Sequence, residues 1–118
     1  MSVIVLLVDD DASSRFVLAT LLEDEGFQVE EAGSFAEAGR KIAAEGARYD
    51  LALLDQNLGD GHGTDLVAVL RARLPRAKAV LISGSGDEAL GDAPPPDAVL
   101  SKGIGFPDLL DRIRQLLG

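Results

Sequence analysis

A three-layer α/β sandwich around a five-stranded parallel sheet is the fold this sequence predicts, and three observations predict it. Short apolar runs recur along the chain and end in acids, hydroxyls or turn residues. Stretches with apolar residues at helical spacing lie between them. Strand and helix alternate five times through short connections, which requires right-handed crossovers and a parallel sheet covered on both faces. With 118 residues the chain has room for one core of ordinary size, so residues 1–118 are expected to form one domain.

Val3 to Val8 is the first strand, continuous in apolar character and hence central, and it runs into Asp9, Asp10 and Asp11. Asp11 is placed to cap a helix starting near Ala12. Val17, Leu18, Leu21 and Leu22 form its expected inner stripe, with Arg15, Glu23 and Asp24 off it, and Gly26 ends it. Phe27 to Ala32 alternates apolar and polar, the pattern of a half-exposed strand at a sheet edge. Ser34 and Glu37 make a capping-box pair for a second helix ending near Gly46, with Phe35, Ala38 and Ile42 inward.

The stretch Tyr49 to Asn57, YDLALLDQN, contains the most completely apolar strand: Leu51 to Leu54 run straight into Asp55. A loop from Gly59 to Gly63 follows. A third helix carries Leu66, Val67, Leu70 and Leu74 on one side and stops at Pro75. Ala79 to Ile82 is the fourth strand and runs into Ser83. Residues 84–97 carry few structure signals: one helical turn around Asp87 to Leu90, then Gly91 and Pro94 to Pro96. The helix between strands four and five is therefore expected to be shortened. Ala98 to Leu100 forms the last strand, followed by Ser101, Lys102 and Gly103. Pro107 opens a final helix at a favoured first-turn position, with Phe106, Leu109, Leu110, Ile113, Leu116 and Leu117 inward.

Composition narrows the function. Cysteine is absent, which removes disulfides and thiolate metal sites, and the single histidine, His62, makes a histidine-based triad improbable. The formal charge of −9 argues against nucleic-acid binding by this chain, because phosphate neutralisation supplies most such affinity. It suits a divalent cation or a basic partner surface. Val3 to Val8 lacks the basic start and cleavage site of a signal peptide, and no apolar run approaches the roughly 20 residues of a membrane span. A cytoplasmic location without membrane association is expected.

In an open parallel sheet, ligands bind beyond the carboxyl ends of the strands, where strand order reverses. In a flavodoxin-like order of 2-1-3-4-5, strands one and three are neighbours. Asp9, Asp10 and Asp55 then share one pocket, with Ser83 and Lys102 at adjoining strand ends. Two carboxylates ~5 Å apart repel by roughly 3 kcal/mol at an effective dielectric of 20. A cation between them relieves this, and oxygen-only donors with room for water favour Mg²⁺. A single aspartate at a strand end is ordinarily a turn residue or cap, and Asp11 is assigned that role. The remaining five residues together form the equipment of phosphoryl transfer. Asp55 is the nucleophile, Ser83 a hydrogen-bond donor, and Lys102 and the metal neutralise phosphoryl oxygens.

These features resemble the receiver domain of two-component response regulators. The resemblance rests on the paired acids after VIVLLV, the DLALLD strand, Ser83 before the small Gly84, Lys102, and Gly63 eight residues beyond Asp55. It covers essentially the whole chain. It implies that Asp55 accepts a phosphoryl group from a sensor histidine kinase or histidine phosphotransfer protein. It further implies that Asp9 and Asp10 hold Mg²⁺ with Asp55 and the backbone carbonyl of Asn57, and that Ser83 and Lys102 bind the phosphoryl group. A downstream target that reads the phosphorylated state is implied as a second partner, and a monomer or weak homodimer is expected.

The sequence also departs from that family. Gly103 replaces the usual proline after the lysine, and Gly59 a proline four residues beyond the acceptor. Val99 stands where an aromatic commonly swings inward on activation. With the shortened helix, these changes affect the face that relays the signal and leave the chemical residues in place. One alternative is a pseudo-receiver used only as a protein-binding surface. Another is an aspartate-nucleophile phosphatase, which needs a second aspartate two residues after the first; Asn57 occupies that position and cannot exchange protons.

Overall fold

The computed structural model describes residues 2–84 and 95–118. The elements in chain order are β1 (Ile4–Val8), α1 (Ala12–Asp24), β2 (Gln28–Ala32), α2 (Phe35–Ala43), β3 (Leu51–Asp55), α3 (Gly63–Arg73), β4 (Lys78–Ser83), β5 (Ala98–Ser101) and α4 (Phe106–Leu117). The five strands pair in the order β2-β1-β3-β4-β5, every neighbour parallel. This is the expected flavodoxin-like topology. The shortened helix expected around Asp87 to Leu90 lies outside the described residues.

Alternation along the strands divides the core into two layers. Leu6, Val8, Ala52, Leu54, Ala79 and Leu81 face α2 and α3, where they meet Ala38, Ile42, Leu66 and Leu70. Val5, Leu7, Leu51, Leu53 and Val80 face α1 and α4, where they meet Ala19, Leu22, Leu109 and Ile113. All residues of β3 are buried, including its terminal Asp55. Burial of Leu51, Leu53 and Leu54, at roughly 2 kcal/mol each, outweighs the cost of carrying one carboxylate to the strand's end. At the sheet edge β2 is half exposed, as its alternation requires.

The inner stripe of α1 differs from the expected one. Ala19 and Leu22 are buried and Leu18 is half-buried, whereas Val17 and Leu21 lie on the next face and are 57% and 37% exposed. Phe16 is also exposed. Arg15, expected off the stripe, is half-buried instead. The helix is apolar over more than one face, so counting apolar residues did not single out the covered one.

The helix caps follow the sequence closely. Asp11 accepts from the amides of Ser13 and Ser14. Ser34 Oγ accepts from the Glu37 amide, while Glu37 Oε1 takes the Gly33 amide, one residue before the usual capping-box partner. Asp97 ties the start of β5 to α3: its Oδ2 accepts from Arg71 Nη2 and from the Ala79 amide, each at 2.8 Å. Partial burial pushes this carboxyl up, but the Ala79 amide and the Arg71 guanidinium outweigh it and hold the pKa below its ordinary value.

Candidate functional site

β1 and β3 are adjacent and in register, with Val8 opposite Leu54, so the residues following each emerge at the same edge. Oxygens of Asp9, Asp10 and Asp55 all lie within 4.8 Å of one another. Asp55 is 4% exposed, Asp9 half-buried and Asp10 exposed, so the cluster grades from core to solvent. Burial, with the nearby Asp55 charge, raises the Asp9 pKa despite the lowering effect of its bond from the Asp11 amide. The donor set is entirely hard oxygen, and one side is open. It fits Mg²⁺ with several retained waters.

Lys102, just beyond β5, places Nζ 3.1 Å from Asp55 Oδ1. That contact, with the surrounding acids, raises the lysine pKa and keeps the group charged at neutral pH. The same oxygen, Oδ1, also accepts from the Asn57 amide at 3.2 Å. Ser83 is fully buried at the end of β4, one residue beyond Ile82, the register partner of Asp55. Its carbonyl accepts from the Lys102 amide, which joins the ends of β4 and β5 beside the cluster. Asn57 is exposed and pairs with His62 across the loop after β3. His62 is exposed as well, and its side chain caps nothing. The structure therefore brings Asp9, Asp10, Asp55 and Lys102 into direct proximity, with Ser83 and Asn57 on the neighbouring strand end and loop.

Gly63 shows how tightly this edge is built. A Cβ there would stand 2.6 Å from the Asp55 carbonyl oxygen and 2.7 Å from Leu81 Cδ1. Only glycine lets α3 start this close to the strand that ends in Asp55.

Two participants were not singled out from the sequence. Arg15 donates from Nη1 to the Asp9 carbonyl at 2.7 Å and from Nε to Glu31 at 3.1 Å, which fixes the loop bearing the paired acids. Asp60 joins the loop after β3 to the start of α2 through bonds to the Phe35 and Ala36 amides. Neither set of contacts has a recognised sequence signature: Arg15 bridges the preceding turn and β2, and the partners of Asp60 lie on a distant helix.

The acids and Lys102 open into a cleft of about 810 Å³. Beyond the acids, Lys102, Ser13 and Ser14 its walls are apolar, with Val17, Leu18 and Leu21 of α1 on one side and Ile104 and Phe106, before and at the start of α4, on the other.

Residues 5–114 match the family described as response regulator receiver domain. Over 107 residues the chain is 38% identical to the photosynthetic apparatus regulatory protein RegA of Cereibacter sphaeroides, covering 91% of this chain and 53% of that protein. The chain thus spans about half the length of that curated relative. A CheY-like response regulator receiver domain protein from Methanospirillum hungatei superposes with a TM-score of 0.86 at 29% identity, covering 99% of this chain and 94% of that one. The response regulator TrrA of Thermotoga maritima, solved in complex with Mg²⁺ and BeF, superposes at 0.83 with 25% identity, covering 98% and 99%. Among the described residues no helix is long and apolar enough to cross a membrane.

Proposed function

This chain belongs to the response regulator receiver domain family, and on that premise we propose that Asp55 accepts a phosphoryl group from a phosphohistidine on a sensor histidine kinase or histidine phosphotransfer protein. Residues 1–118 act as one receiver unit in this reading. The observation that carries it is a nearly buried carboxylate held 3.1 Å from an ammonium and within 4.8 Å of two further carboxylates. A purely structural strand end has no use for that accumulation of charge.

Asp9, Asp10, Asp55 and the Asn57 backbone carbonyl would hold Mg²⁺. Bound there, the ion supplies positive charge that offsets the acid cluster and the incoming phosphoryl oxygens. In the transfer, a carboxylate oxygen of Asp55 forms a bond to phosphorus as the phosphorus–nitrogen bond of the donor breaks. The imidazole leaves with that electron pair and takes a proton from solvent. Lys102, charged and already at Asp55, meets a phosphoryl oxygen, and the Ser83 hydroxyl donates to another. Asn57 cannot act as an acid or base, which suits a lasting acyl phosphate better than rapid turnover. The chain is in this sense a signalling module and not a turnover enzyme.

The apolar wall of the cleft supports the partner assignment. Val17 and Leu21 are exposed on α1 at the rim that holds the acids. A protein donor seated there would cover them while presenting its histidine to Asp55, and would exclude water from the transfer. Nothing in this chemistry needs a membrane or nucleic acid, and the reading keeps a cytoplasmic setting.

Incubation with acetyl phosphate and Mg²⁺, followed by intact-mass measurement, tests the acceptor. The wild type gains one phosphoryl group, and Asp55→Asn gains none. Equal uptake by the variant, or no uptake by wild type from either acetyl phosphate or a charged phosphotransfer protein, overturns the assignment.

A further inference from the structure

The loop between β3 and α3 is held by a tie that its own sequence does not require. Asp60 Oδ1 accepts from the Phe35 amide at 2.8 Å, and Oδ2 from the Ala36 amide at 3.1 Å. These are first-turn amides of α2, 25 and 24 residues away in the chain. The helix already has a cap of its own in Ser34, whose Oγ takes the Glu37 amide. The Phe35 and Ala36 amides could face water at little cost, as helix-start amides often do. What the contact adds is a fixed position for the loop.

Three further features agree. Gly61, next to Asp60, is seated directly against the ring of Phe35. Gly59, on its other side, has φ +73°, which the ring of proline forbids. The loop therefore cannot take the shape that a proline at this position would impose; within it the Leu58 amide donates to the Gly61 carbonyl and Asn57 bridges to His62, and Asp60 adds the tie to α2. Gly59 also faces the cluster: a Cβ there would lie 3.7 Å from Asp10 Oδ2. The loop is thus bound to α2 on one side and forms a wall beside the acids on the other, with Asn57 at its start. The two amide bonds lower the Asp60 pKa, so the carboxylate is charged at neutral pH.

We propose that Asp60 is a positioning residue, which anchors the Asn57–His62 loop to the start of α2 and so sets the Asn57 carbonyl for the divalent cation. The inference rests on the metal assignment made above. Removing the anchor releases the loop, and cation affinity falls because the loop must be ordered again on binding. The tie is exposed, so the expected loss is at the low end for groups that support metal ligands, roughly tenfold.

The test is a Mg²⁺ titration of the full chain, followed through the amide NMR signals of Asn57 and Gly59, with thermal unfolding of the metal-free chain measured in parallel. Asp60→Ala is expected to weaken Mg²⁺ binding roughly tenfold, and Asp60→Asn, which keeps one acceptor oxygen, by less. Ser34→Ala removes the other cap of the same helix without touching the loop. It should lower stability and leave Mg²⁺ affinity unchanged. Unchanged affinity in both Asp60 variants overturns the inference, as does an equal loss in Ser34→Ala, which would trace the effect to helix stability alone. Should Asp60→Ala not fold, Asp60→Asn against Ser34→Ala decides the matter. Absence of Mg²⁺ binding by wild type would instead overturn the metal assignment itself.

Discussion

Replacing Asp9 by asparagine should make the metal-free chain more stable while removing its response to Mg²⁺. Asp9 is half-buried, and its carboxylate lies within 4.8 Å of those of Asp10 and Asp55. At that separation each like-charge pair costs about 3 kcal/mol at an effective dielectric of 20 and about 1 kcal/mol in bulk water. The substitution relieves two such pairs and gives up an attraction to Lys102 that outweighs the Asp10 repulsion, which leaves about one pair's worth of relief. The Asp11 amide keeps its acceptor, because the asparagine Oδ1 can replace that of aspartate. The net gain is about 1–2 kcal/mol, which moves a urea midpoint upward by roughly 0.5–1 M at a typical slope of about 2 kcal/mol/M. In wild type, Mg²⁺ at ten times its dissociation constant adds about 1.4 kcal/mol by mass action. The variant should show almost none of this at the same concentration. Urea unfolding of both proteins with and without Mg²⁺ measures all four quantities. A variant less stable than wild type without metal, or one stabilised by Mg²⁺ to the same extent, would refute the electrostatic reasoning.

Three other substitutions probe separate parts of the structure. Lys102→Ala should fold but cost about 1–3 kcal/mol in the metal-free chain, since the lysine is half exposed while its partner Asp55 is nearly buried; its phosphorylated form should show smaller amide shift changes than phosphorylated wild type, and an identical set would count against Lys102 as the reader of the phosphoryl group. Gly63→Ala should cost about 2–3 kcal/mol or more, since the new methyl meets the Asp55 carbonyl and Leu81 at the start of α3; a thermal midpoint equal to wild type would mean that α3 can move away freely. Asp97→Asn should cost about 1–2 kcal/mol at neutral pH through the loss of its charged bond to Arg71. The folded carboxyl has a depressed pKa, so wild type holds this stability above the ordinary aspartate pKa of 3.8 and loses it as pH falls through the lower folded value. The difference between wild type and variant should therefore shrink in that acid range, and a constant difference would exclude Asp97 as its source.

Much of the fold was legible because the strands are so thoroughly apolar. Leu51 to Leu54 and Val5 to Val8 could only be buried on both faces, and the mixed character of Gln28 to Ala32 could only suit an edge. The site was legible for a related reason: polar residues that directly end apolar strands must emerge at one edge of a parallel sheet. The outer face of α1 was not legible, since Phe16, Val17 and Leu21 look like core residues in a list of side chains. They remain uncovered because Ala19 and Leu22 meet the sheet first. Arg15 and Asp60 were missed for a different reason. Arg15 reaches back six residues to the Asp9 carbonyl and across to the Glu31 side chain on β2, and Asp60 works through amides of a distant helix; neither arrangement leaves a pattern in the neighbouring sequence.

The most direct test of the central assignment is chemical location of the phosphoryl group. Borohydride reduces an aspartyl phosphate to homoserine, so wild type treated with acetyl phosphate and Mg²⁺, reduced and then sequenced by mass spectrometry should carry homoserine at position 55. Asp9, Asp10 and Asp11 should remain aspartate. Homoserine at any of those three positions, or phosphoryl label on His62 with Asp55 unchanged, would contradict the proposed acceptor.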